Sequence, residues 1–227
     1  MRKPLSPYLF IAVLSFALQS CLSTANFETG KTLGKSVSKT DIGFSYEYSQ
    51  PIVKGGWFNF NEGPFISVAY TYGILDRLDI GAGISTNSDL NFRTKFMLTK
   101  PESKFAVSIG ASTYIITNIE EVFLYHTNLS LFVSAHPSEK LAIYFYPQYL
   151  FFPSTVSLNN DNSTTGGSIT FGLLFNNLWE TRRKTISIGC EFSNFSAAKY
   201  QQQTFTIGVI IKRKYDPIIR KDPQYFY

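Results

Sequence analysis

Residues 66–85 read I-S-V-A-Y-T-Y-G-I-L-D-R-L-D-I-G-A-G-I-S and contain two alternating runs joined by a short turn. In the first run, one face carries Ile, Val and Tyr, whereas the other carries Ser, Ala, Thr and Gly. The polar turn at Asp76 and Arg77 leads into a second run that alternates in the same way. A period of two places successive side chains on opposite faces of a β-strand. The stretch therefore predicts an antiparallel β-hairpin with one apolar face.

The same alternation recurs along the chain from residue 40 to residue 213, and counting the runs predicts ten strands, with eight or twelve as alternatives. Short turns lie at 76–77, 101–103 and 137–139, and long connections lie at 50–63, 115–123 and 151–164. Connections that are alternately short and long are typical of transmembrane barrels. We therefore expect an all-β, up-and-down antiparallel transmembrane β-barrel.

The composition of the two strand faces indicates which face meets water. The chain has 227 residues, of which 44% are hydrophobic and only 16% are charged, which excludes a disordered protein. The only long apolar run is at the N-terminus, which excludes a polytopic helical membrane protein. A soluble barrel needs Lys and Glu on its outside. Here the less apolar face is made of Gly, Ser, Ala, Thr and Asn, which suits the interior of a narrow barrel.

This pattern assigns each strand residue to lipid or to the lumen. Residues predicted to face lipid include Val107, Ile109, Leu131, Ile188 and Ile207. Residues predicted to face the lumen include Ser108, Gly110, Ser130, Gly189 and Gly208. Tyrosines near the strand ends are expected to form interface girdles: Tyr46, Tyr48, Tyr70, Tyr72, Tyr114, Tyr125, Tyr144, Tyr146, Tyr149 and Tyr200. A one-residue error in register would exchange the lipid and lumen sets completely.

The segment Y-G-I-L-D-R-L-D-I-G-A-G, residues 72–83, resembles the turn-flanking hairpin common in small bacterial outer-membrane barrels. Together with the strand pattern, the resemblance covers about residues 40–213 and concerns the class rather than one family. It implies residence in the bacterial outer membrane, with outer-membrane lipids as partners and with both termini in the periplasm.

Residues 1–20 have a positive start and an apolar stretch too short to span a bilayer, so they are expected to be a signal peptide. The sequence L-Q-S-C at 18–21 resembles the lipobox of bacterial lipoproteins, which implies that Cys21 carries the lipid anchor. Ordinary signal-peptidase cleavage after Ala25 is the alternative, because S-T-A at 23–25 is a small-x-small site.

The predicted domain order follows from these boundaries. Residues 21–39 are expected to be a periplasmic tether, 40–213 the barrel and 214–227 a periplasmic C-terminal tail. The tail is basic and contains two prolines, so it is expected to be solvated or to contact a periplasmic partner. No nucleic acid is expected as a partner of an exported barrel, and the oligomeric state stays open.

Two further patterns bear on chemistry. Residues 25–32, A-N-F-E-T-G-K-T, match a relaxed phosphate-binding loop but lack the flanking strand and helix that this chemistry needs. His126 and Ser130 lie on the same predicted face, about 13 Å apart at the usual rise of a strand, which is too far for a nucleophile and its base. No metal site, no cofactor and no catalytic residue is therefore predicted.

Four charged residues fall on lumen-facing positions: Asp79, Arg93, Lys95 and Glu191. We expect a hydrogen-bonded ion network that fills a narrow barrel, with a selectivity constriction as the alternative. The predicted function is that of a non-enzymatic outer-membrane lipoprotein barrel, with a structural or surface-interaction role or as a narrow pore for small solutes. The alternatives are an outer-membrane lipid hydrolase of the lipase or deacylase type and a soluble periplasmic lipoprotein barrel that binds an apolar ligand.

The lipobox predicts a defined outcome for the Cys21→Ala variant. Metabolic labelling with a fatty-acid probe should disappear, because the acceptor thiol is removed. The variant should still reach the membrane, because insertion depends on the strands. A wild-type protein that never takes the label would favour cleavage after Ala25.

Overall fold

The structure is a computed structural model that describes residues 27–51, 63–86, 89–117, 123–151, 165–181, 183–197 and 200–214. These residues form β1 (Val37–Pro51), β2 (Gly63–Leu75), β3 (Leu78–Ser85), β4 (Asp89–Met97), β5 (Phe105–Thr117), β6 (Phe123–Ser138), β7 (Leu141–Phe151), β8 (Thr165–Glu180), β9 (Lys184–Ala197) and β10 (Tyr200–Lys214). In the part of the chain that the structure describes, no helix is long and apolar enough to cross a membrane.

The ten strands form one closed up-and-down antiparallel barrel, which confirms the predicted fold. Each strand pairs with its neighbours in sequence, and β1 pairs with β10 to close the wall, with Ile42 opposite Val209. The start of β1, the end of β10 and the β2–β3, β4–β5, β6–β7 and β8–β9 connections lie at one end. We call this the turn end, and the opposite end the loop end.

The outer wall is apolar and the interior is largely polar. Ile109 and Ile207 are 48% and 50% exposed, whereas Ser108, which lies between two outward residues of β5, is completely buried. The predicted lipid and lumen sets are confirmed by this burial pattern. An unbroken wall of exposed Ile, Phe, Leu and Tyr suits hydrocarbon and not water. The soluble-barrel alternative requires the opposite polarity and does not fit this structure.

The tyrosine girdle prediction is wrong for three residues. Tyr46, Tyr70 and Tyr149 are about half exposed on the outer wall, as expected of girdle residues. In contrast, Tyr114, Tyr144 and Tyr146 are almost completely buried. On β7, Tyr144 and Tyr146 share their face with the buried Ala142 and Gln148, and a strand cannot present adjacent residues to the same side.

The tether prediction fails for its second half. Residues 27–36 lie inside the turn end of the barrel, and β1 begins at Val37 rather than at residue 40. We call residues 27–36 the N-terminal plug. Phe27 and Glu28, at its start, are 1% and 4% exposed, so this segment is not a solvated linker. The signal segment, Cys21 and residues 215–227 of the tail lie outside the described residues.

The burial pattern predicts where an introduced charge is costly. Ile109→Arg should lower the free energy of unfolding in lipid vesicles by about 2–4 kcal/mol, because Ile109 faces the hydrocarbon. Phe105→Arg is the matched comparison, since Phe105 is also outward but begins β5 at the turn end. Its cost should be near zero to about 1 kcal/mol. Denaturant unfolding of both variants measures these free energies. Equal losses of stability in the two variants would contradict the assignment of Ile109 to the hydrocarbon.

Candidate functional site

Glycines on the barrel wall make room for the N-terminal plug. The ring of Phe27 lies against Gly189 of β9 and Gly208 of β10, which are directly opposite each other in the sheet. A Cβ at either glycine would collide with this ring. In turn, a Cβ on Gly30 would collide with the backbone carbonyl of Ala106. The plug therefore fits closely against both β9–β10 and β5, on different sides of the lumen.

Hydrogen bonds fix the plug backbone to the lumen wall. The Gly30 N–H donates to Ser134 Oγ at 2.9 Å, and the Ser108 hydroxyl donates to the Gly30 carbonyl at 2.5 Å. Further along, the Leu33 N–H donates to both carboxylate oxygens of Asp79 at 3.1 Å. A polar backbone buried in a lumen needs such partners, because unpaired amide groups are costly away from water.

Glu28 connects the plug to three cations of the wall. Its Oε1 lies 3.0 Å from Lys39 Nζ and 3.5 Å from Arg93 Nη2, and its Oε2 accepts a short hydrogen bond from Lys95. Burial by itself raises the pKa of the Glu28 carboxyl, but the positive charges of Lys39, Lys95 and Arg93 lower it more. The pKa of Glu28 therefore lies well below its ordinary value, and the group is ionised at neutral pH.

Two wall carboxylates complete the cluster. Asp41 lies 2.9 Å from Lys39 and 3.4 Å from Arg93, and Asp79 lies 3.6 Å from Lys95. The Arg93 guanidinium also donates to Thr71 Oγ1 at 2.5 Å. We call Glu28, Lys39, Asp41, Asp79, Arg93 and Lys95 the lumen network.

The lumen network is electrically balanced only when the plug is in place. It contains three carboxylates and three cations, and its ion-paired side chains are at most 9% exposed. Without Glu28, two wall carboxylates would face three wall cations. An uncompensated buried charge is expensive, whereas a balanced and hydrogen-bonded cluster is tolerated. The charge of Glu28 therefore holds the plug inside the barrel.

The structure brings together three of the four charged residues predicted for the lumen. Asp79, Arg93 and Lys95 belong to the lumen network, whereas Glu191 contacts tyrosines on β7. Its Oε1 accepts hydrogen bonds from Tyr144 at 2.9 Å and from Tyr146 at 3.4 Å.

Gly172 of β8 lies between Tyr144 and Glu191 in the sheet, and a Cβ there would collide with the tyrosine ring. The missing side chain lets Tyr144 cross β8 to reach Glu191.

Sequence reasoning missed Glu28, Lys39 and Asp41. Asp41 could have been found, because it alternates with the outward residue Ile42. Lys39 was assigned to the tether only because β1 begins earlier than predicted. Glu28 lies in an irregular segment without a period, so no strand pattern indicates it. It falls within the phosphate-loop-like stretch 25–32, whose described part leads through the plug into a strand and not into a helix.

The lumen is nearly filled at the level of the network. A cavity lined by Glu28, Asp79, Arg93 and Lys95, together with neighbouring wall residues, measures about 20 Å³. This volume admits about one water molecule. This cavity is too small to hold a solute larger than water while the plug is in place.

The half of the lumen towards the loop end differs from the network level in its hydrogen bonding. Four inward side chains there, in the described part of the chain, carry polar atoms without a hydrogen-bond partner: Ser67, Asn128, Gln202 and Thr204. Buried polar atoms in proteins are normally satisfied by protein or by water. In the described part of the chain, the loop-end half of the lumen is therefore polar and incompletely hydrogen-bonded by protein groups.

One Ser–His contact bears on the hydrolase alternative. Ser134 Oγ lies 2.9 Å from His136 Nε2 on β6. However, Ser134 is buried, and its hydroxyl already accepts the Gly30 N–H of the plug. No carboxylate oxygen among the described side chains contacts His136, so the third group of a catalytic triad is missing there. In the described residues, no cluster of His, Cys, Asp and Glu suits a metal ion.

Comparisons with known proteins concern the fold. No protein-family model matches the chain, and no curated protein does either. Similar solved structures include the NanC porin, at 11% identity, a TM-score of 0.41 and coverage of 75% of this chain and 98% of that one. An outer membrane channel from Pseudomonas putida F1 has 10% identity, a TM-score of 0.41 and coverage of 84% and 99%.

The attachment invasion locus protein Ail of Yersinia pestis has 10% identity, a TM-score of 0.30 and coverage of 78% and 99%. Such distant likeness carries no information on activity. The closed ten-strand wall, its apolar outside and its polar inside define this protein as an up-and-down β-barrel of the transmembrane type. Its particular feature is a lumen closed at the turn end by its own N-terminal plug.

The charge balance predicts the effect of Glu28→Gln. The plug should lose about 3–5 kcal/mol of docking free energy, because the three wall cations then face only two carboxylates. Plug release exposes Lys31, so trypsin should cleave after Lys31 about a hundredfold faster or more.

Glu180→Gln is the matched control, since Glu180 is exposed at the turn end of β8 and has no ion pair within the described chain. Limited proteolysis of the folded protein in detergent makes the measurement. Unchanged cleavage in Glu28→Gln, or equal acceleration in the control, would show that the network does not hold the plug.

Proposed function

We propose that this protein is a non-enzymatic β-barrel of the bacterial outer membrane that is closed at rest and serves a structural or surface-interaction role. The observation that carries the proposal is the N-terminal plug, with Glu28 neutralised by three wall cations and with a residual cavity of about 20 Å³. A pore that is open at rest would need a continuous lumen, which the plug occupies.

The orientation follows from the two ends of the barrel. In bacterial barrels, short turns face the periplasm and longer loops face the outside. On this basis the turn end and the plug face the periplasm, and the loop end faces the outside. The outer loops are then the part of the protein that is available for surface interactions.

A lipid on Cys21 is compatible with a docked plug. Five residues separate Cys21 from Phe27, and an extended chain of this length reaches about 20 Å. The lipid would therefore lie within about 20 Å of Phe27. An acylated Cys21 would keep the plug near its site after release, because it would tether the plug to the membrane.

A narrow pore for small solutes is the second candidate, and the incompletely hydrogen-bonded polar groups in the loop-end half of the lumen favour it. Polar lumen groups such as Asn128 and Gln202, without protein partners, are typical of a surface that water or a solute contacts. In this case the plug is a gate, and passage requires its displacement. The hydrolase alternative gains no comparable support, because Ser134 lies beneath the plug.

Conductance in planar lipid bilayers distinguishes these functions. Wild-type protein should show no steady conductance, because the plug fills the lumen. The double variant Phe27→Ser/Glu28→Gln should release the plug and produce stepwise openings if the barrel is a gated pore. It should stay closed if the role is structural.

Glu180→Gln is the control and should behave as the wild type does. Both proteins must first show the heat-dependent shift on SDS gels that a folded barrel gives. Steady conductance in the wild type would overturn the proposal of a barrel that is closed at rest.

A further inference from the structure

A cavity of about 630 Å³ opens at the turn end, between the plug and the inner wall. We call it the turn-end vestibule, and its lining includes Lys31, Lys104, His136, Asn176 and Lys212, with Phe27 at its floor. Its volume lies within the range of small-molecule sites, about 300–1,000 Å³. It adjoins the lumen network, since Glu28, Lys39 and Lys95 belong to its lining.

The register of β1 and β10 places two lysines opposite each other. Lys212 of β10 is the direct partner of Lys39 of β1. Like charges directly opposite each other in a sheet are destabilising. Lys39 is compensated by Glu28 at 3.0 Å and by Asp41 at 2.9 Å.

Lys212 has no carboxylate at ion-pair distance among the described residues. No described carboxylate oxygen lies within 4.0 Å of its ammonium group, and its hydrogen bond goes to the neutral Asn176 Oδ1 at 3.5 Å. A half-buried ammonium beside another cation is a position at which an anion is strongly favoured.

Other cations of the vestibule reinforce this preference. Within the described ranges, the ammonium groups of Lys31 and Lys104 also lie beyond 4.0 Å from any carboxylate oxygen. The carboxylates of the lining residues Glu102 and Glu139 likewise lie beyond 4.0 Å from any cationic nitrogen. Three uncompensated ammonium groups therefore face two uncompensated carboxylates, with His136 and Asn176 as polar groups on the wall. The plug contributes Lys31, so the vestibule is complete only when the plug is docked.

We propose that the turn-end vestibule binds a small soluble oxyanion that carries phosphate or carboxylate groups. Lys212 provides the central charge, and Lys31 contacts the anion from the plug side. Several ammonium groups around one cavity suit an anion with more than one negative charge, since lysine binds phosphate as a point charge. The lining faces the lumen and not the lipid, which favours a soluble anion over a lipid head group.

The test uses full-length protein in a neutral detergent and titrates inorganic phosphate and, separately, citrate by isothermal calorimetry at constant ionic strength. At least one anion should bind saturably to the wild type. Lys212→Met should weaken this binding about tenfold or more, because it removes a charged contact. Lys100→Met is the matched control, since Lys100 is exposed outside the vestibule, and it should leave the affinity unchanged.

Lys31→Met is the second variant and should also weaken binding. It keeps the proposal testable if Lys212→Met fails to fold, because no described hydrogen bond depends on the Lys31 ammonium group. Absence of saturable binding to the wild type, or unchanged affinity in the folded vestibule variants, overturns the proposal. Lys212-dependent binding of phosphatidylglycerol vesicles without binding of either soluble anion also overturns it. The experiment measures anion binding and not conductance. Failure of the anion-site proposal is therefore distinguishable from failure of the closed-barrel proposal.

Discussion

The carboxylate of Glu28 is the constraint on which the interior of this barrel depends. Lys39, Arg93 and Lys95 project into a narrow lumen where Asp41 and Asp79 balance only two of their three charges. The third carboxylate comes from a segment that precedes the first strand. Since an unpaired charge is far more costly in a desolvated lumen than in water, the wall and the plug stabilise each other. The docked plug therefore both closes the lumen and supplies the charge that compensates the buried wall cations.

Small residues on the inner wall make this arrangement sterically feasible. Gly189 and Gly208 face each other across β9 and β10 and leave a flat surface for the ring of Phe27. Gly172 does the same for Tyr144, which crosses β8 to reach Glu191. In a narrow barrel every inward side chain competes for the same volume, so large rings need glycine neighbours.

The two ends of the lumen differ in the polar and charged groups that line them. The loop-end half contains buried polar side chains such as Asn128 and Gln202, with atoms that no described protein group satisfies. The turn-end half is sealed by the plug and continues into a vestibule in which Lys212 lacks a described carboxylate partner. Because the plug contributes residues both to the seal and to the vestibule, events at the turn end and the state of the lumen are physically linked.

The sequence by itself determined the ten strands, the up-and-down order and the side of the wall on which residues such as Ile109 and Ser108 lie. Alternation with a period of two is a local property, so each strand reports its own orientation. The same parity places Asp79 inside, and it would have placed Tyr144 inside as well. Only the tertiary structure decided that Glu28 enters the lumen and that Lys39 and Lys212 are neighbours. Both findings depend on the shape of the closed barrel, because that shape decides where an irregular segment docks and which residues of the first and last strands pair. A local sequence pattern carries no information about this shape.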